Sequence, residues 1–518
     1  MAATRKVRQT KPPPSSTSAT SLWEISEIVV EIMKHNSDSR PALAACAAVS
    51  HAFSEPALEV LWGTMEGLDP LFAILTKAIK RITGQGSIWK KTFILSAPID
   101  DQEWNRFVRY AKLVRVYINR GDNIDGMTSG ALMARTQGES LLPRLQQLTW
   151  IRPVKHSASL PLFLSSNLRS LFMDLSNDLN IERLQRGDDE PRPDYGKYAT
   201  GVALQTVLSQ ASHVQGLTVH DAASPLALET ISTFRHLRSL TLHLVLDLQS
   251  LTSCLKALAG LESLMVGMKD DAASDQVDNL PPGSSPLPLE ELRSLKVIGP
   301  PRFVVAFMDL VHSLVLQQLS LSIACDNAIW RRSAKIVASR FPNTLLSFEV
   351  WLHDNPTEVG IRMFRDLFPP LYALRKLQKL SIGRLKQTEC IITSEDIDDV
   401  AKAWPDLRFL ALPYSEPEGG PHPPTLPITA LESIARNCRS LEILVLPLPH
   451  YSPLSSSELP SAASYDNNVI ELQLRGGKWK RKVRDKCTRY LSRIFPRLDS
   501  GMIWLDADYD AFFFPRGR

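Results

Sequence analysis

Cysteine is scarce in this sequence, and it is never clustered. The chain has six cysteines in 518 residues, and no two of them form a CxxC or CxxH pair. This spacing excludes the common zinc-site patterns and gives no sign of a disulfide framework. We therefore predict buried free thiols in a reducing compartment. The six are Cys46, Cys254, Cys325, Cys390, Cys438 and Cys487.

The short motifs that mark common active sites are also missing. The sequence contains no GxSxG, no HExxH and no Walker-type lysine motif, and Gly84 with Gly86 is too little for a phosphate-binding loop. The 11 histidines are scattered, and we interpret His236 and His243 as ordinary edge residues. These observations predict a protein that is not an enzyme, with no catalytic residues, no cofactor and no metal.

Neither sign of charge dominates, and there is no long hydrophobic run. The 59 basic and 55 acidic residues give a net charge of +4, which provides no strong field for nucleic acid or a membrane surface. No segment approaches the length of a membrane span, and the basic segment 1–20 lacks the apolar core of a signal peptide. We predict a disordered basic tail over 1–20, a cytoplasmic and/or nuclear location, and no nucleic-acid or membrane partner.

One basic run, KWKRKVRDK from Lys478 to Lys486, has the composition of a nucleic-acid or nuclear-import patch. Charge runs on amphipathic helices are more often solvated faces. We therefore predict that this run is the exposed side of a last helix. The buried side of that helix would consist of Val483, Tyr490, Leu491, Ile494 and Phe495.

A repeated hexamer, L-x-x-L-x-L with other apolar residues allowed at its anchors, dominates the chain from residue 113 onward. It occurs thirteen times, too often for chance, and indicates a repeat array. Its last three residues favour a strand, and neighbouring strands would stack in parallel. The anchors are Leu113-Val116-Ile118, Leu145-Leu148-Trp150, Leu168-Leu171-Met173, Val214-Leu217-Val219, Leu237-Leu240-Leu242, Leu261-Leu264-Val266, Leu292-Leu295-Val297, Leu316-Leu319-Leu321, Leu345-Phe348-Val350, Leu377-Leu380-Ile382, Leu407-Leu410-Leu412, Leu441-Leu444-Leu446 and Val469-Leu472-Leu474.

Helix signals lie between the hexamers. Ser224-Pro225 predicts a helix start, and Thr429 with Glu432 predicts a capping box. The run from Ile329 to Phe341 predicts an amphipathic helix whose buried face contains Ile329, Ile336, Val337 and Phe341. Four longer insertions are predicted loops on one edge of the array. They are Ser176 to Tyr198, Lys269 to Pro288, Pro413 to Pro427 and Pro447 to Asn468.

The segment from Leu22 to Trp62 has a different pattern. Its apolar residues first recur at spacings of three and four, which predicts one stripe of a short helix. A second helical run follows a polar break at Asn36 to Arg40 and is predicted to end at the Glu55-Pro56 turn. Three short helices result, too small to bury their apolar surface alone. The residues that set this pattern are Ile25, Ile28, Val29, Ile32, Val49, Phe53, Leu61 and Trp62.

This order of residues resembles the F-box signature, and the phrase SEPALEVLW is similar to F-box-like proteins of mushroom-forming fungi. The sequence departs from the family at Ser26, where proline is usual. The resemblance implies that the same eight residues bind a Skp-type adaptor, which joins the protein to a cullin-type ubiquitin ligase. The chain as a whole resembles F-box proteins with leucine-rich repeats, which hold a target protein for ubiquitylation. The alternative is a helical cap on a repeat scaffold that binds a partner without any ligase.

The resulting fold prediction is α/β: a short N-terminal helical F-box-like module followed by an irregular leucine-rich-repeat solenoid, a curved array of parallel strands with helices on its convex side. The predicted parts are a tail at 1–20, the module at 21–66, linking helices and a first strand at Phe93 to Leu95 within 67–112, the array at 113–498, and a C-terminal cap or tail at 499–518.

Strand alternation also predicts where the target binds. Residues next to the last two anchors of each hexamer point away from the core, and most of them are small and polar. At the C-terminal end they become apolar, which predicts an exposed target-binding patch. Its residues are Phe409, Ala411, Ile443 and Val445.

Overall fold

The computed structural model describes residues 26–82, 91–120, 122–151, 154–175, 195–268, 286–324, 327–353, 361–383, 389–412, 426–447, 465–475, 481–498 and 503–505. The chain forms two compact units. The N-terminal unit comprises Met1–Trp150 with Ala158–Leu168, and the C-terminal unit comprises Ile151–Ser157 with Arg169–Arg518. The division falls within the predicted array of 113–498. The predicted tail at 1–20 lies outside the described residues.

The described elements alternate between helices and short strands. The α-helices are α1 Ser26–His35, α2 Arg40–Val49, α3 His51–Gly63, α4 Asp69–Phe72, α5 Asp101–Ala111, α6 Gly126–Arg135, α7 Tyr195–Gln210, α8 Pro225–Ile231, α9 Leu248–Lys256, α10 Pro301–Leu310, α11 Asn327–Arg340, α12 Phe364–Leu367, α13 Ser394–Ala403, α14 Leu431–Asn437 and α15 Arg481–Ile494. Segments of 3-10 helix are Ala73–Leu75, Val154–Phe163, Pro369–Ala373 and Ile428–Ala430.

The strands are β1 Thr64–Met65, β2 Ile79–Ile82, β3 Lys91–Leu95, β4 Val116–Asn119, β5 Asp122–Ile124, β6 Gln147–Ile151, β7 Ser170–Asp174, β8 Gly216–Ala223, β9 Ser239–Val245, β10 Ser263–Met268, β11 Leu287–Pro288, β12 Ser294–Gly299, β13 Val311–His312, β14 Gln318–Ala324, β15 Ser347–His353, β16 Ile361–Met363, β17 Lys379–Ile382, β18 Glu389–Ile391, β19 Phe409–Ala411, β20 Ile443–Pro447, β21 Glu471–Arg475 and β22 Ile503–Leu505. The chain is therefore α/β, as the sequence predicts.

In the N-terminal unit, β1, β4 and β6 are parallel neighbours. A second sheet in this unit pairs β2 antiparallel with β3, and β3 parallel with β5. The predicted first strand at Phe93 to Leu95 is confirmed as part of β3. Strand β2 was not predicted from the sequence.

In the C-terminal unit, the described strands of the main sheet pair in parallel in the order β7-β8-β9-β10-β12-β14-β15-β17-β19-β20-β21-β22. Their register places equivalent hexamer anchors side by side. Leu264 of β10, Leu295 of β12 and Leu319 of β14 form one such row. Two further small parallel sheets, β11 with β13 and β16 with β18, belong to the same unit.

The predicted anchors form the core. In twelve of the thirteen hexamers all three anchor side chains are buried, from the Leu145 hexamer to the Val469 hexamer. The alternating residues between them are mostly exposed or half-buried. We call the side of the sheet on which these alternating residues lie the open face. The period-2 alternation that the hexamer implies is thus confirmed across the described strands.

The first hexamer is the exception, because its register is shifted by one residue. Tyr117 and Asn119 of β4 are buried, whereas Val116 and Ile118 are only half-buried. The Tyr117 ring packs on Phe163 with centroids 4.9 Å apart. The side-chain carbonyl of Asn119 accepts a hydrogen bond from the Asp122 backbone N–H (3.2 Å). An aromatic ring with an aromatic neighbour and a side-chain amide with a hydrogen-bond partner take the inner positions here, which reverses the aliphatic pattern.

Helix starts were predicted with mixed success. Ser224 caps α8 as predicted, accepting a hydrogen bond from the Ala227 N–H (3.3 Å). The capping box predicted at Thr429 is wrong, because α14 begins at Leu431 without a side-chain cap. A complete capping box instead opens α13, where Thr393 and Asp396 bond reciprocally. The helix break predicted at Glu55-Pro56 is also wrong, since α3 continues through that proline and the break falls at the extended Ser50.

The other helix predictions are also partly right. In α11 the buried residues include Trp330, Ala334, Val337 and the adjacent Phe341, while Ile329 and Ile336 are only half-buried. In α15, Tyr490, Leu491 and Ile494 are buried as predicted, as is the adjacent Phe495, and Lys486 is exposed.

Candidate functional site

Helices α1, α2 and α3 enclose a small apolar core of their own. Val29 and Met33 of α1, Leu43 of α2 and Ala57 of α3 are its fully buried members. Pro41 lies in the first turn of α2, where the lack of an N–H carries no penalty. Half-buried side chains complete the cluster: Cys46, Ala47, Phe53, Val60 and Leu61. The three helices thus bury part of their apolar surface within this segment.

The predicted adaptor-binding residues differ in how far this core buries their side chains. Val29 is 0 % exposed, so the prediction that its side chain meets a partner is wrong. Phe53 and Leu61 are half-buried against the core, and Ile28 and Ile32 are half-buried. Ile25 lies outside the described residues.

The two remaining adaptor candidates differ sharply from each other. Val49, the last residue of α2, is 72 % exposed, an unusual state for a valine. Trp62 near the end of α3 stacks against Tyr110 of α5, with ring centroids 4.7 Å apart. One face of its indole is therefore already used within the N-terminal unit.

The predicted target-binding patch on β19 and β20 is more covered than the sequence suggests. Phe409 pairs with Ile443, and Ala411 pairs with Val445 in the strand register. The first pair is half-buried, but Ala411 is 1 % and Val445 is 5 % exposed. The prediction of an exposed position is therefore wrong for Ala411 and Val445. Alternation assigns a side chain to one face of a strand, but it does not tell whether that face is covered.

The buried pair belongs to a longer buried row. Ser381 of β17 aligns with Ala411, and Val445 aligns with Gln473 of β21. Both Ser381 and Gln473 are buried, as is Glu471 at the start of β21. The Gln473 side-chain amide donates a hydrogen bond to Glu471 Oε1 (2.7 Å). A buried carboxylate requires such a partner, which sequence alternation alone does not reveal.

Beside this row, the open face carries a chain of charged and aromatic contacts. Glu349 of β15 forms an ion pair with Lys379 of β17 (2.5 Å). The Lys379 ammonium also lies 5.4 Å from the ring centroid of Phe409. One face of the Phe409 ring is therefore engaged by a cation, a contact worth about 0.5–1 kcal/mol at exposed sites.

A second group on the open face consists of two imidazoles in contact, whose ring planes are tilted by 42°. The rings of His220 on β8 and His243 on β9 lie 4.6 Å apart, and His220 Nδ1 lies 3.6 Å from Asp174 Oδ2. Burial lowers the pKa of His243, and His220 and Lys296 lower it further, while Asp174 opposes this shift. His243 is thus predominantly neutral near pH 7.

The interpretation of His236 and His243 as ordinary edge residues missed this arrangement. The rings of His213 and His236 are also in contact, with centroids 4.8 Å apart. The members of each pair are 23 residues apart (236 − 213 and 243 − 220), and so are the first anchors of the two hexamers concerned (237 − 214). Equal positions in adjacent repeats become spatial neighbours. This numerical coincidence was the sequence signal that could have revealed both pairs.

Two of the described thiols are strongly held in their protonated form. The described cysteines Cys46, Cys254, Cys390, Cys438 and Cys487 form no disulfide with one another. Burial raises the pKa of Cys254 and of Cys438 to about 12, so both remain protonated at neutral pH. Among the described side chains, no three His, Cys, Asp or Glu residues converge to hold a metal ion. Every helix in the described ranges is too short or too polar to span a bilayer.

Comparison with known proteins adds no relative. No model of a known protein family matches the chain, and no curated protein matches it significantly.

Proposed function

We propose that this protein is the substrate-recognition subunit of a cullin-type ubiquitin ligase. In this proposal helices α1–α3 form an F-box-like module that binds a Skp-type adaptor, and the repeat strands bind a target protein. The main support is the order of apolar residues in the segment, which resembles the F-box signature. Val49 agrees with this proposal, because an adaptor would cover an apolar side chain that is 72 % exposed on a module with its own core.

In this proposal the protein contributes binding surfaces and no catalytic group. The adaptor would contact the accessible part of the module, namely Val49 together with the half-buried Ile28 and Ile32. The target would contact the leucine-rich-repeat array, where Phe409 and Ile443 remain partly accessible. Holding a target beside the ligase raises the local concentration of its lysines near the activated ubiquitin.

A pull-down with a purified Skp-type adaptor tests the proposal. The substitution Val49→Asp places a charge in the apolar interface but leaves the module core intact, so capture should weaken by about tenfold or more. Met127→Asp is the matched control, because Met127 of α6 is 83 % exposed outside the module. Equal capture of wild type, Val49→Asp and a variant lacking residues 21–66 would contradict adaptor binding by this module.

The target-binding part is tested separately in cells. Phe409→Glu combined with Ile443→Lys should remove a captured partner while adaptor binding persists, because these residues lie on the open face rather than in the module. An unchanged set of partners would exclude this end of the open face.

The second candidate function is a repeat scaffold without a ligase. It is favoured by the complete burial of Val29, because this residue of the predicted adaptor stripe packs on its own helices. A scaffold of this kind would fail the adaptor pull-down yet still lose its partner in the Phe409 and Ile443 variant.

A further inference from the structure

The middle of the open face, around β12, differs from its C-terminal end. Lys296 of β12 is exposed between Met265 of β10 and Ser320 of β14, its neighbours in the register. No described carboxylate lies within ion-pair distance of its ammonium group, whereas Lys379 is neutralised by Glu349. The centre of the open face therefore presents a positive charge that the described residues leave uncompensated.

The imidazole pair extends this positive character toward β8. His220 is 46 % exposed, but its acidic partner Asp174 is only 14 % exposed. A ligand approaching from solvent thus meets the imidazole rings before the carboxylate. His243 lies close enough to Lys296 for the two to influence each other electrostatically. Lys296, as the permanent cation, and the two imidazoles consequently face the same side of neighbouring strands.

Small polar side chains form the row next to Lys296 on the open face. This row, which precedes Lys296, contains only glycine, serine and glutamine from β8 to β14, whereas Met265 lies beside Lys296 in its own row. Hydroxyl groups there add hydrogen-bond donors for an anionic ligand. The register aligns Gly216, Ser239, Ser263, Ser294 and Gln318.

We propose that this central part of the open face, defined by Lys296, His243 and His220, binds an acidic extended segment of a partner protein. The charge complementarity identifies the partner, because a cation that the described carboxylates leave unpaired favours an acidic ligand. The single uncompensated lysine is too little for a nucleic-acid backbone, which requires a row of cations. The proposal depends on the proposed function only in taking the ligand to be a protein.

The spacing of the strands indicates how the acidic residues are arranged. The strands that carry His243 and Lys296 are separated by two strand spacings, about 10 Å. An extended chain advances about 3.4 Å per residue, and its side chains point to one side at every second residue. Carboxylates two to four residues apart therefore match the two groups. A segment with acids at alternating positions is the predicted ligand.

Fluorescence anisotropy with the full chain tests the proposal. The probe is a labelled peptide of alternating Glu and Thr, compared with peptides in which Glu is replaced by Gln or by Lys. We expect binding of the Glu peptide alone, weakened about tenfold or more by Lys296→Glu. The control is Lys335→Glu, because Lys335 is an exposed lysine on α11 and the change in net charge is the same. Loss of binding with Lys335→Glu but not with Lys296→Glu would place the anion site on α11 and overturn the proposal.

The imidazoles provide a second readout. Lowering the pH from 7.5 to 6 should strengthen binding of the Glu peptide, because His243 gains charge as the pH approaches its lowered pKa while glutamate stays ionised. The double variant His220→Gln with His243→Gln should lose this dependence but retain the effect of Lys296. An identical pH dependence in the double variant would exclude the imidazoles from the site.

A further arm separates carboxylate from phosphate recognition. The Gln peptide with one phosphothreonine should bind more weakly than the Glu peptide, because the proposed ligand carries several spaced charges. Binding of the phosphopeptide alone would overturn the proposal. Adaptor capture is measured in the same preparations, so loss of peptide binding with intact adaptor capture concerns the open face and not the proposed function of the module.

Discussion

Substitutions on the two faces of strand β12 should differ strongly in their effect on stability. Leu295 is 1 % exposed and aligns with Leu264 and Leu319 in the core, whereas the next residue, Lys296, is exposed. Leu295→Ala leaves a cavity between three adjacent strands, and such a change costs about 3–5 kcal/mol at fully buried leucines. Lys296→Ala removes no core contact, so we expect an effect within about 0.5 kcal/mol.

Hydrogen exchange followed by mass spectrometry measures this difference strand by strand. A local loss of about 3 kcal/mol corresponds to roughly hundredfold faster exchange where amides exchange by opening of that region. Because each repeat contacts mainly its neighbours, the acceleration should centre on β10, β12 and β14 and fade toward β20. Lys296→Ala is the matched control on the same strand. Equal exchange in both variants, or equal acceleration in β12 and β20, would refute the assigned register.

Three further outcomes follow from local geometry. Asp396→Ala should destabilise α13 by about 1 kcal/mol, because it removes half of the Thr393–Asp396 capping box; urea unfolding measures this, and no shift in midpoint would exclude the cap. Gly267→Ala should cost about 1–3 kcal/mol, because a Cβ there would lie 2.2 Å from the backbone oxygen of His243, and a wild-type melting temperature would contradict that close approach. Stability should fall as pH decreases below about 6.5, because burial lowers the pKa of His243 against the opposing effect of Asp174, and the unfolded chain therefore binds more protons than the folded one. His243→Gln should reduce the slope of stability against pH, and an unchanged slope would contradict the role of His243.

The repeated core was predictable because burial follows directly from the strand period. Leucine and valine at fixed hexamer positions can satisfy only one arrangement, with anchors inward and their neighbours outward. The shift at β4 shows where this reasoning fails. Val116 and Ile118 match the aliphatic pattern better than Tyr117 and Asn119, yet the inner positions go to the residues that find an aromatic neighbour and a hydrogen bond. The Phe163 ring comes from a distant position in the chain, and the hydrogen bond at Asn119 comes from a residue outside the hexamer, so the apolar pattern of the hexamer contains neither.

The open face was less predictable for a related reason. The sequence correctly placed Phe409, Ala411, Ile443 and Val445 on two adjacent strands, but it did not reveal that Ala411 and Val445 are buried. Exposure depends on the whole chain, whereas alternation depends on one strand. The contacts of Lys379 with Glu349 and with Phe409 join three strands, so the pattern within any one strand does not predict them.

In the helical module, too, the sequence pattern did not predict exposure, because two valines predicted to bind the adaptor have opposite environments. An amphipathic pattern predicts an apolar face, but it does not state whether the same chain or a partner covers that face. Val29 is enclosed by its own helices, so Val29→Asp would disrupt the module itself and its loss of binding would say nothing about an interface. Val49 is exposed at the end of α2, where a charge leaves the core unchanged. Evidence for an adaptor interface must therefore come from Val49, together with Ile28 and Ile32, and not from the residues that best match the apolar period.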